Sequence, residues 1–205
     1  MVANGAACSQ ALLGQLLEWS PYILALDGAF SRLHCLGIKV DAVLGDFDSI
    51  ENLNELVEQQ QPIEVLHKPD QEKTDLEKGL DFLVAAEHKA VNIVWASGWR
   101  TDHTLANLSN ILKYKHLITI NVIDDYSRLY VLPQTFKKHY AQNTKLSLFP
   151  MGEVTGISTE NLNFGLHNES LHIGGRIGTS NAVTHDGLVC ITHKTGHLLL
   201  IEVME

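Results

Sequence analysis

Short apolar runs alternate with amphipathic stretches through the first 125 residues. The runs that predict strands cover residues 22–26, 42–44, 63–66, 91–96 and 119–123. The stretches with helical spacing lie around them, at residues 9–19, 29–36, 50–59, 74–87 and 104–113. Alternation of this kind is typical of βαβ units. The pattern therefore predicts an α/β domain over residues 1–130 with a mainly parallel sheet.

The pattern changes after residue 138, where short strands follow one another closely. The predicted strands cover residues 145–149, 162–166, 170–173, 187–193 and 197–203, with Gly, Asn and Asp between them. Close spacing of short strands predicts an antiparallel β-sandwich over residues 138–205. The segment 193–197 is interpreted as a hairpin turn, and residues 126–138, which contain Pro133, as the linker between the two domains.

Composition limits the classes of partner and compartment. The net charge of −9 argues against a nucleic-acid backbone or an anionic membrane as the main partner. No apolar run approaches the roughly 20 residues of a spanning helix, and no signal peptide is recognised. The cysteines at positions 8, 35 and 190 are too dispersed for a disulfide framework or a zinc ribbon. We therefore expect a cytoplasmic protein with reduced thiols.

The stretch VLGDFDSI, residues 43–50, places two carboxylates directly after a predicted strand. Ligands bind beyond the carboxyl ends of parallel strands, and Asp27, Asp46 and Gly98 each follow such an end. Carboxylate oxygens suit Mg²⁺, which takes one or two protein carboxylates together with substrate phosphates. A solvated loop is the alternative interpretation of Asp46 and Asp48.

A predicted helix start lies in the next segment, KPDQEKTDLEK at residues 68–78. Thr74 is a typical helix N-cap, with Glu77 at the capping-box position. The first turn also carries Asp75, close to the same edge of the sheet, and Lys78 follows one turn later. Free N–H groups at a helix start bind phosphate oxygens, so a capped helix and a phosphate site are both compatible with this pattern.

Two later segments carry further candidates. In SGWRTDH, residues 97–103, Arg100 has two possible partners. It could bind a phosphate through two parallel hydrogen bonds, or it could form a salt bridge with Asp102. In GGRIGTSN, residues 174–181, a glycine-rich turn carries the small polar side chains of Ser180 and Asn181. The sequence alone leaves open whether this second segment is a binding turn or a plain connection between strands.

Together these segments resemble the thiamin pyrophosphokinase family. The motifs occur in the family's order and span nearly the whole chain: DGA at 27–29, GDFDS at 45–49, PDQEKTD at 69–75, GWRTDH at 98–103 and GTSN at 178–181. The resemblance implies an α/β catalytic, ATP-binding domain followed by a β-sandwich that binds thiamin. It implies transfer of the terminal diphosphate of ATP to the thiamin hydroxyl, with release of AMP.

The resemblance also implies roles for single residues. The magnesium site would be formed by Asp46, Asp48 and Asp75, which together with Asp102 make the catalytic set. ATP, its diphosphate or Mg²⁺ would be contacted by Asp27, Gln71, Thr74, Lys78 and Arg100. Thiamin would be bound by Ser180 and Asn181. The family further implies a homodimer in which the thiamin end of each site is completed by the other chain, and the identity of the general base, Asp75 or Asp102, stays open.

The motifs depart from the family pattern at several positions. Ala29 and Trp99 stand where the family has glycine, Gly178 replaces a serine, and Val183 replaces an aromatic residue. Phe164 is a candidate to supply the missing aromatic surface. These departures affect substrate fit more than the metal site, whose carboxylates are intact.

Two other functions remain as alternatives. A non-catalytic module that binds a nucleotide or thiamin is compatible with the altered motifs. A magnesium-dependent phosphatase of the haloacid dehalogenase type also uses a DxD after a strand and a later acidic pair, which Asp124 and Asp125 resemble. Its second aspartate is usually followed by Gly-Thr, whereas Ser49 and Ile50 follow Asp48 here.

Overall fold

The computed structural model describes residues 1–204. The chain divides into two compact units, residues 1–125 and residues 126–205. No helix within residues 1–204 is both long enough and apolar enough to cross a membrane.

The first unit consists of parallel strands with helices between them. Its helices are α1 (Gln10–Leu17), α2 (Ala29–Cys35), α3 (Leu53–Gln59), α4 (Asp75–Ala85) and α5 (Thr101–Tyr114). Its strands are β1 (Leu24–Leu26), β2 (Ala42–Gly45), β3 (Glu64–His67), β4 (Ala90–Ile93) and β5 (Thr119–Ile123). The predicted alternation of strands and helices is confirmed, and so is the parallel sheet. Every residue of β1 and β2 is buried, as expected for central strands covered on both faces.

The first residues of the chain join the two groups of parallel strands. Val2 pairs in parallel with Ala25 beside β1 and with Val94 just after β4. Its backbone N–H donates to the carbonyl of Leu24 at 2.8 Å, and its carbonyl accepts from Leu26 at 2.9 Å. The N-terminal segment thus acts as a very short central strand, and the order becomes β3-β2-β1-Val2-β4-β5.

The second unit is a pair of antiparallel sheets around one core. Its strands are β6 (Ser127–Val131), β7 (Thr135–Tyr140), β8 (Lys145–Pro150), β9 (Glu153–Glu160), β10 (His167–His172), β11 (Gly178–Ala182), β12 (Gly187–Thr192) and β13 (Leu198–Val203). One sheet has the order β10-β9-β12-β7, and the other contains β11-β8-β13-β6. Side chains from both sheets, such as Ile157 and Leu200, share a buried apolar cluster. The predicted antiparallel fold is confirmed.

Four local predictions in this unit are wrong. The supposed linker 126–138 forms β6 and most of β7, because Pro133 lies between the strands and breaks neither ladder. Residues 162–166 form no strand beyond a single bridge from Leu162 to Val183. The segment 193–197 is no hairpin turn, since β12 and β13 lie in different sheets and the chain crosses from one to the other there. Residues 178–181, interpreted as a turn, belong to β11.

Candidate functional site

A cleft of about 600 Å³ opens in the first unit beyond the carboxyl ends of its central strands. Three of the predicted aspartates line it, namely Asp27, Asp46 and Asp75, which follow β1, follow β2 and begin α4. Other predicted residues in the lining are Gln71, Thr74, Lys78 and Arg100. Two predicted residues of the first unit, Asp48 and Asp102, lie outside this lining. The parallel topology therefore brings together side chains from four separate motifs.

Asp27 lines the cleft and has one buried oxygen without a partner. Its φ of 42° turns the chain sharply as it leaves β1. The Ser49 hydroxyl donates to Oδ2 at 2.6 Å, whereas Oδ1 is buried and accepts no hydrogen bond. A Cβ added at Gly45 would lie 3.1 Å from the Cβ of Asp27, so the glycine makes room for this carboxylate. An unpaired buried oxygen is costly in a folded protein, which points to a ligand here.

The DxD loop holds its two carboxylates in different surroundings. Gln71 Nε2 donates to Asp46 Oδ2 at 3.0 Å, and this hydrogen bond is the main reason why the pKa of Asp46 is lowered. The backbone N–H of Asp48 approaches Asp46 Oδ1 at 3.4 Å, but the side chain of Asp48 is exposed to solvent. Asp46 faces the cleft, and the assignment of Asp48 to the metal site stays a prediction.

The start of α4 supplies the third carboxylate and a buried cation. Thr74 Oγ1 accepts from the backbone N–H of Glu77 at 3.3 Å, so the predicted N-cap is confirmed. Lys78 Nζ donates to Asp75 Oδ1 at 3.1 Å and to the Lys68 carbonyl at 2.9 Å, with only 6% of its side chain exposed.

The charge state of Asp75 reflects its neighbours in the cleft. Burial raises the pKa of Asp75, and Lys78 partly offsets this effect. The negative charges of Asp27 and Asp46 raise the pKa of Asp75 further, which places the three carboxylates within electrostatic reach of one another.

The donor set suits a hard divalent cation. Carboxylate oxygens face one cleft, one of them is buried without a partner, and their mutual repulsion would be relieved by a cation. Residues 1–204 contain no ready-made group of three or more His, Cys, Asp or Glu side chains spaced to hold a metal ion. A cation here would therefore need further oxygen ligands from water and substrate phosphates, as Mg²⁺ commonly has.

Arg100 and Asp102 form the salt bridge that the sequence left as one option. Arg100 Nη2 lies 2.6 Å from Asp102 Oδ2, and both side chains are largely exposed. The hydrogen bond from Arg100 lowers the pKa of Asp102 to about 2. Exposed pairs of this kind contribute little to stability, so Arg100 remains available to a phosphate that enters the cleft.

The predicted thiamin residues lie on β11 in the second unit. Ser180 is exposed, with a φ of 58°, and its backbone N–H donates to Ser147 Oγ at 3.0 Å. Asn181 is only 4% exposed and bonds the backbone of Phe164 on both sides, accepting at 3.0 Å and donating at 2.9 Å. Asn181 therefore fixes the segment that displays Phe164, whose side chain is 67% exposed.

Two of the departures from the family motifs have local explanations. Ala29 is fully buried at the first position of α2, where its methyl group fits the core. A Cβ at Gly178 would lie 3.0 Å from both the Cβ and the carbonyl oxygen of Leu148, so this position favours glycine over serine. Neither change touches the acidic cleft.

Sequence reasoning missed the contribution of the N-terminal segment to the cleft. Ala3, Asn4 and Gly5 all line it. A Cβ at Gly5 would lie 2.5 Å from the carbonyl oxygens of Trp95 and Ser97, so the backbone passes very close to the loop after β4. The sequence indicated only a short first strand at residues 2–5, and nothing in it placed that strand beside the cleft.

The acidic pair that favoured a phosphatase includes a residue with a structural role. Both carboxylate oxygens of Asp125 accept from the backbone N–H of Ser9, at 2.9 and 2.8 Å. Ser9 in turn caps α1 by accepting from Leu12. Asp125 thus anchors the start of α1, and it is absent from the lining of the acidic cleft.

Comparison with known proteins identifies two matching family models in chain order. Residues 13–122 match "Thiamin pyrophosphokinase, catalytic domain", and residues 134–198 match "Thiamin pyrophosphokinase, vitamin B1 binding domain". The chain is 27% identical over 178 residues to thiamin pyrophosphokinase 1 of Caenorhabditis elegans, covering 80% of this chain and 72% of the relative. It is 27% identical over 179 residues to thiamine pyrophosphokinase of Bacillus subtilis (strain 168), covering 85% and 83%.

The fold agrees with these sequence matches. A crystal structure of thiamine pyrophosphokinase from Bacillus subtilis superimposes with a TM-score of 0.84 at 22% identity, covering 100% of this chain and 98% of the other. At this identity the superposition shows a shared fold, whereas the family models match most of the sequence itself. The chain therefore belongs to the thiamin pyrophosphokinase family, a family of enzymes.

Proposed function

We propose that this protein is a thiamin diphosphokinase, which transfers the terminal diphosphate of ATP to the hydroxyl of thiamin and releases AMP. The observation that carries the proposal is the match to the catalytic and the vitamin B1 binding models, in that order along one chain. The cleft that gathers Asp27, Asp46 and Asp75 around a buried lysine supports it, because a polyphosphate with a divalent cation suits this arrangement.

The residues of the cleft have distinct roles in this proposal. Mg²⁺ would be held by Asp46 and Asp75 together with Asp48, with Asp27 adjacent, and when bound it would neutralise charge on the phosphates. Phosphoryl transfer depends mainly on positioning and on stabilisation of charge. Lys78 would lie beside the β- and γ-phosphates, fixed there by its bond to the Lys68 carbonyl.

Further contacts would orient the substrate. Gln71 holds Asp46 in place through its side-chain amide. Arg100 would exchange Asp102 for a phosphate oxygen, and backbone N–H groups in the first turn of α4 would receive another. Asp75 lines the cleft whereas Asp102 lies outside its lining, so Asp102 is the weaker of the two candidates for general base.

The reaction products test this function directly. Incubation of the protein with thiamin and Mg-ATP should give thiamin diphosphate and AMP in equal amounts, with no thiamin monophosphate intermediate. Accumulation of ADP would indicate transfer of a single phosphoryl group, as in an ordinary kinase, and would contradict diphosphoryl transfer. Phosphate release without thiamin would favour the phosphatase, and ligand binding without turnover would favour the binding module.

We also propose a homodimer in which Ser180 and Asn181 of one chain complete the site formed by the carboxylates of the other. The resemblance to the family motivates this proposal. Two-fold dimers are the commonest oligomers. Ser180 is exposed in the second unit and is therefore accessible to a partner.

Complementation between two inactive variants tests the composite site. Asp75→Asn and Ser180→Tyr, each inactive alone, should regain part of the activity when they are unfolded and refolded together, because a mixed dimer holds one intact site. Formation of mixed dimers is checked by carrying a different affinity tag on each variant. Mixed dimers that stay inactive would place each site within a single chain.

A cytoplasmic location is proposed on the state of the cysteines. Cys8, Cys35 and Cys190 are all free thiols, as expected in a reducing compartment. Fractionation of cells that produce the protein should place it with cytoplasmic markers, and recovery with an oxidising compartment would contradict the proposal.

A further inference from the structure

An arginine contacts two tryptophan rings beside the acidic cleft. The guanidinium carbon of Arg32 lies 4.2 Å from the ring centroid of Trp95 and 4.6 Å from that of Trp99. Arg32 Nη1 also donates to the Gly5 carbonyl at 2.7 Å and approaches Asn4 Oδ1 at 3.4 Å. The guanidinium is therefore held by contacts with both rings and by hydrogen bonds to the N-terminal segment.

The two tryptophans differ sharply in exposure. Trp95 is 3% exposed and belongs to the core, whereas Trp99 is 71% exposed although it lines the cleft. Although Arg32 lies over the Trp99 ring, most of the Trp99 side chain stays accessible to solvent. Trp99 also has a φ of 55°, a conformation that a bulky residue rarely adopts. A large apolar ring held exposed in a strained backbone suggests a role in binding.

We propose that Trp99 is a stacking platform for the nucleobase of ATP and that Arg32 is the residue that positions it. This inference rests on the proposed function, because it assigns the base to the cleft that would hold the phosphates. Trp99 and Arg100 are consecutive and line the same cleft as Lys78 and the carboxylates. Polyphosphate bound by the charged interior leaves the base at the rim, and every base offers a π-face to an aromatic ring.

The cation behind the ring favours a neutral base over the thiazolium of thiamin. Arg32 already occupies one face of Trp99 and uses the negative charge density of its π-system. A second cation on the opposite face would be repelled by the guanidinium and would find a ring that is already polarised. An uncharged purine is not repelled by the guanidinium, and it stacks over a larger area than a pyrimidine does.

The family motif has glycine at this position, so the platform is a feature of this chain's own sequence. A glycine would adopt the positive φ without strain but would offer no surface. Stacking is tolerant of base identity, because it involves no hydrogen-bond readout. The chain should therefore discriminate by ring size, accepting ATP and GTP with similar affinity and binding CTP and UTP more weakly.

Binding measurements on Trp99 variants test the platform without requiring turnover. Trp99→Leu should weaken the affinity for ATP about tenfold, the lower end of the range for loss of one stacked base, and Trp99→Phe should lose much less. Inorganic tripolyphosphate, which has the phosphates and no base, should bind the native protein and Trp99→Leu equally. Trp19→Leu is the matched control, since Trp19 is 87% exposed and lies outside the cleft lining.

Steady-state kinetics of the Trp99 and Arg32 variants show which substrate the Trp99 ring contacts. Trp99→Leu should raise KM for ATP and leave KM for thiamin unchanged. Arg32→Met should raise KM for ATP by a smaller factor and also leave KM for thiamin unchanged. Unchanged ATP affinity in Trp99→Leu, or an equal loss of tripolyphosphate binding, would overturn the platform. A loss confined to thiamin would assign the ring to the other substrate and overturn it as well. If ATP binding depends on Trp99 but no thiamin diphosphate forms, the platform stands and the proposed reaction fails.

Discussion

The acidic cleft and the carboxylate of Glu202 illustrate two ways of holding negative charge. In the second unit, Glu202 Oε1 accepts from the hydroxyls of Tyr130 and Tyr140 and from Lys138 Nζ, at 2.8, 2.5 and 2.6 Å. Its side chain is 12% exposed and its charge is satisfied within the chain. In the cleft, Asp27 keeps a buried oxygen without any partner. The first arrangement is a structural network, and the second is suited to receive a ligand.

The two environments also shift the pKa of their carboxyl groups in opposite directions. Burial alone would raise the pKa of Glu202, but the hydrogen bonds from Lys138, Tyr140 and Tyr130 outweigh it and lower the pKa. For Asp75, burial and the neighbouring aspartates outweigh Lys78, and the pKa is raised. The folded protein thus favours charge at Glu202 and disfavours it at Asp75 in the absence of a cation.

The largest expected effect is the fall in kcat when a carboxylate of the predicted metal site is removed. Asp46→Asn, Asp48→Asn and Asp75→Asn should each reduce kcat at least about 10²-fold, because charge stabilisation of the transferring group is lost. Thermal unfolding should show that the fold survives, since removal of a repelling carboxylate is seldom destabilising. Near-normal magnesium-dependent activity in Asp48→Asn would assign the exposed Asp48 to a solvated loop and would reduce the acidic set to the residues that line the cleft.

Glu202→Gln should lower the stability of the fold and leave turnover unchanged, the reverse of the aspartate variants. Three donors would lose a charged acceptor, so the free energy of unfolding should fall by about 1.5–3 kcal/mol, the usual worth of a hydrogen bond to a charged group. Denaturant titration gives this value, and kcat of the folded fraction should be unchanged. A stable but inactive Glu202→Gln would show that this network takes part in the reaction after all.

The pH dependence of stability should identify the Glu202 network. Its folded pKa lies below the ordinary 4.5, so its stabilisation is fully present above pH 4.5 and is lost as the pH falls through the folded pKa. The difference in unfolding free energy between the native protein and Glu202→Gln should therefore shrink steadily below pH 4.5. A difference that stays constant over this range would assign the stabilisation to packing instead of charge.

The smallest expected effect concerns the hydrogen bond that orients Asp46. Gln71→Leu removes the donor at 3.0 Å, and because this bond is exposed to solvent we expect it to be worth only about 0.5–1.5 kcal/mol, or roughly a two- to tenfold change. We expect a rise in KM for Mg-ATP within that range and little change in stability, with Gln59→Leu on the exposed face of α3 as control. A loss as large as that of Asp46→Asn would mean that Gln71 contacts the substrate itself.

The sequence predicted those parts of the fold that repeat a simple pattern. Strands β1 to β5 were recognised because apolar runs alternate with helical spacing, and the cap at Thr74 because its side chain acts locally. Strands β6 and β7 were missed because Pro133 resembled a linker, although it occupies only the turn. The crossing at 193–197 resembled a hairpin because a sequence carries no record of which sheet each strand joins.

Only those residues of the candidate site that lie in recognisable motifs were predictable from the sequence. Residues after strand ends were expected to converge, and Asp27, Asp46 and Asp75 do line one cleft. The stacking of Arg32 on Trp99 depends on contact between α2 and the loop after β4, two segments far apart in sequence, and no local pattern indicates it.

The insertion of Val2 between β1 and β4 has a consequence for how the chain folds. Val2 and Val94 are 92 positions apart, and the intervening loop must close before their pairing contributes any free energy. At about 5–20 residues per second, a ribosome takes on the order of ten seconds to deliver the second partner after the first. Through that interval Val2 has only β1 as a neighbour, so its pairing with Val94 should gain protection from hydrogen exchange later than its pairing with β1.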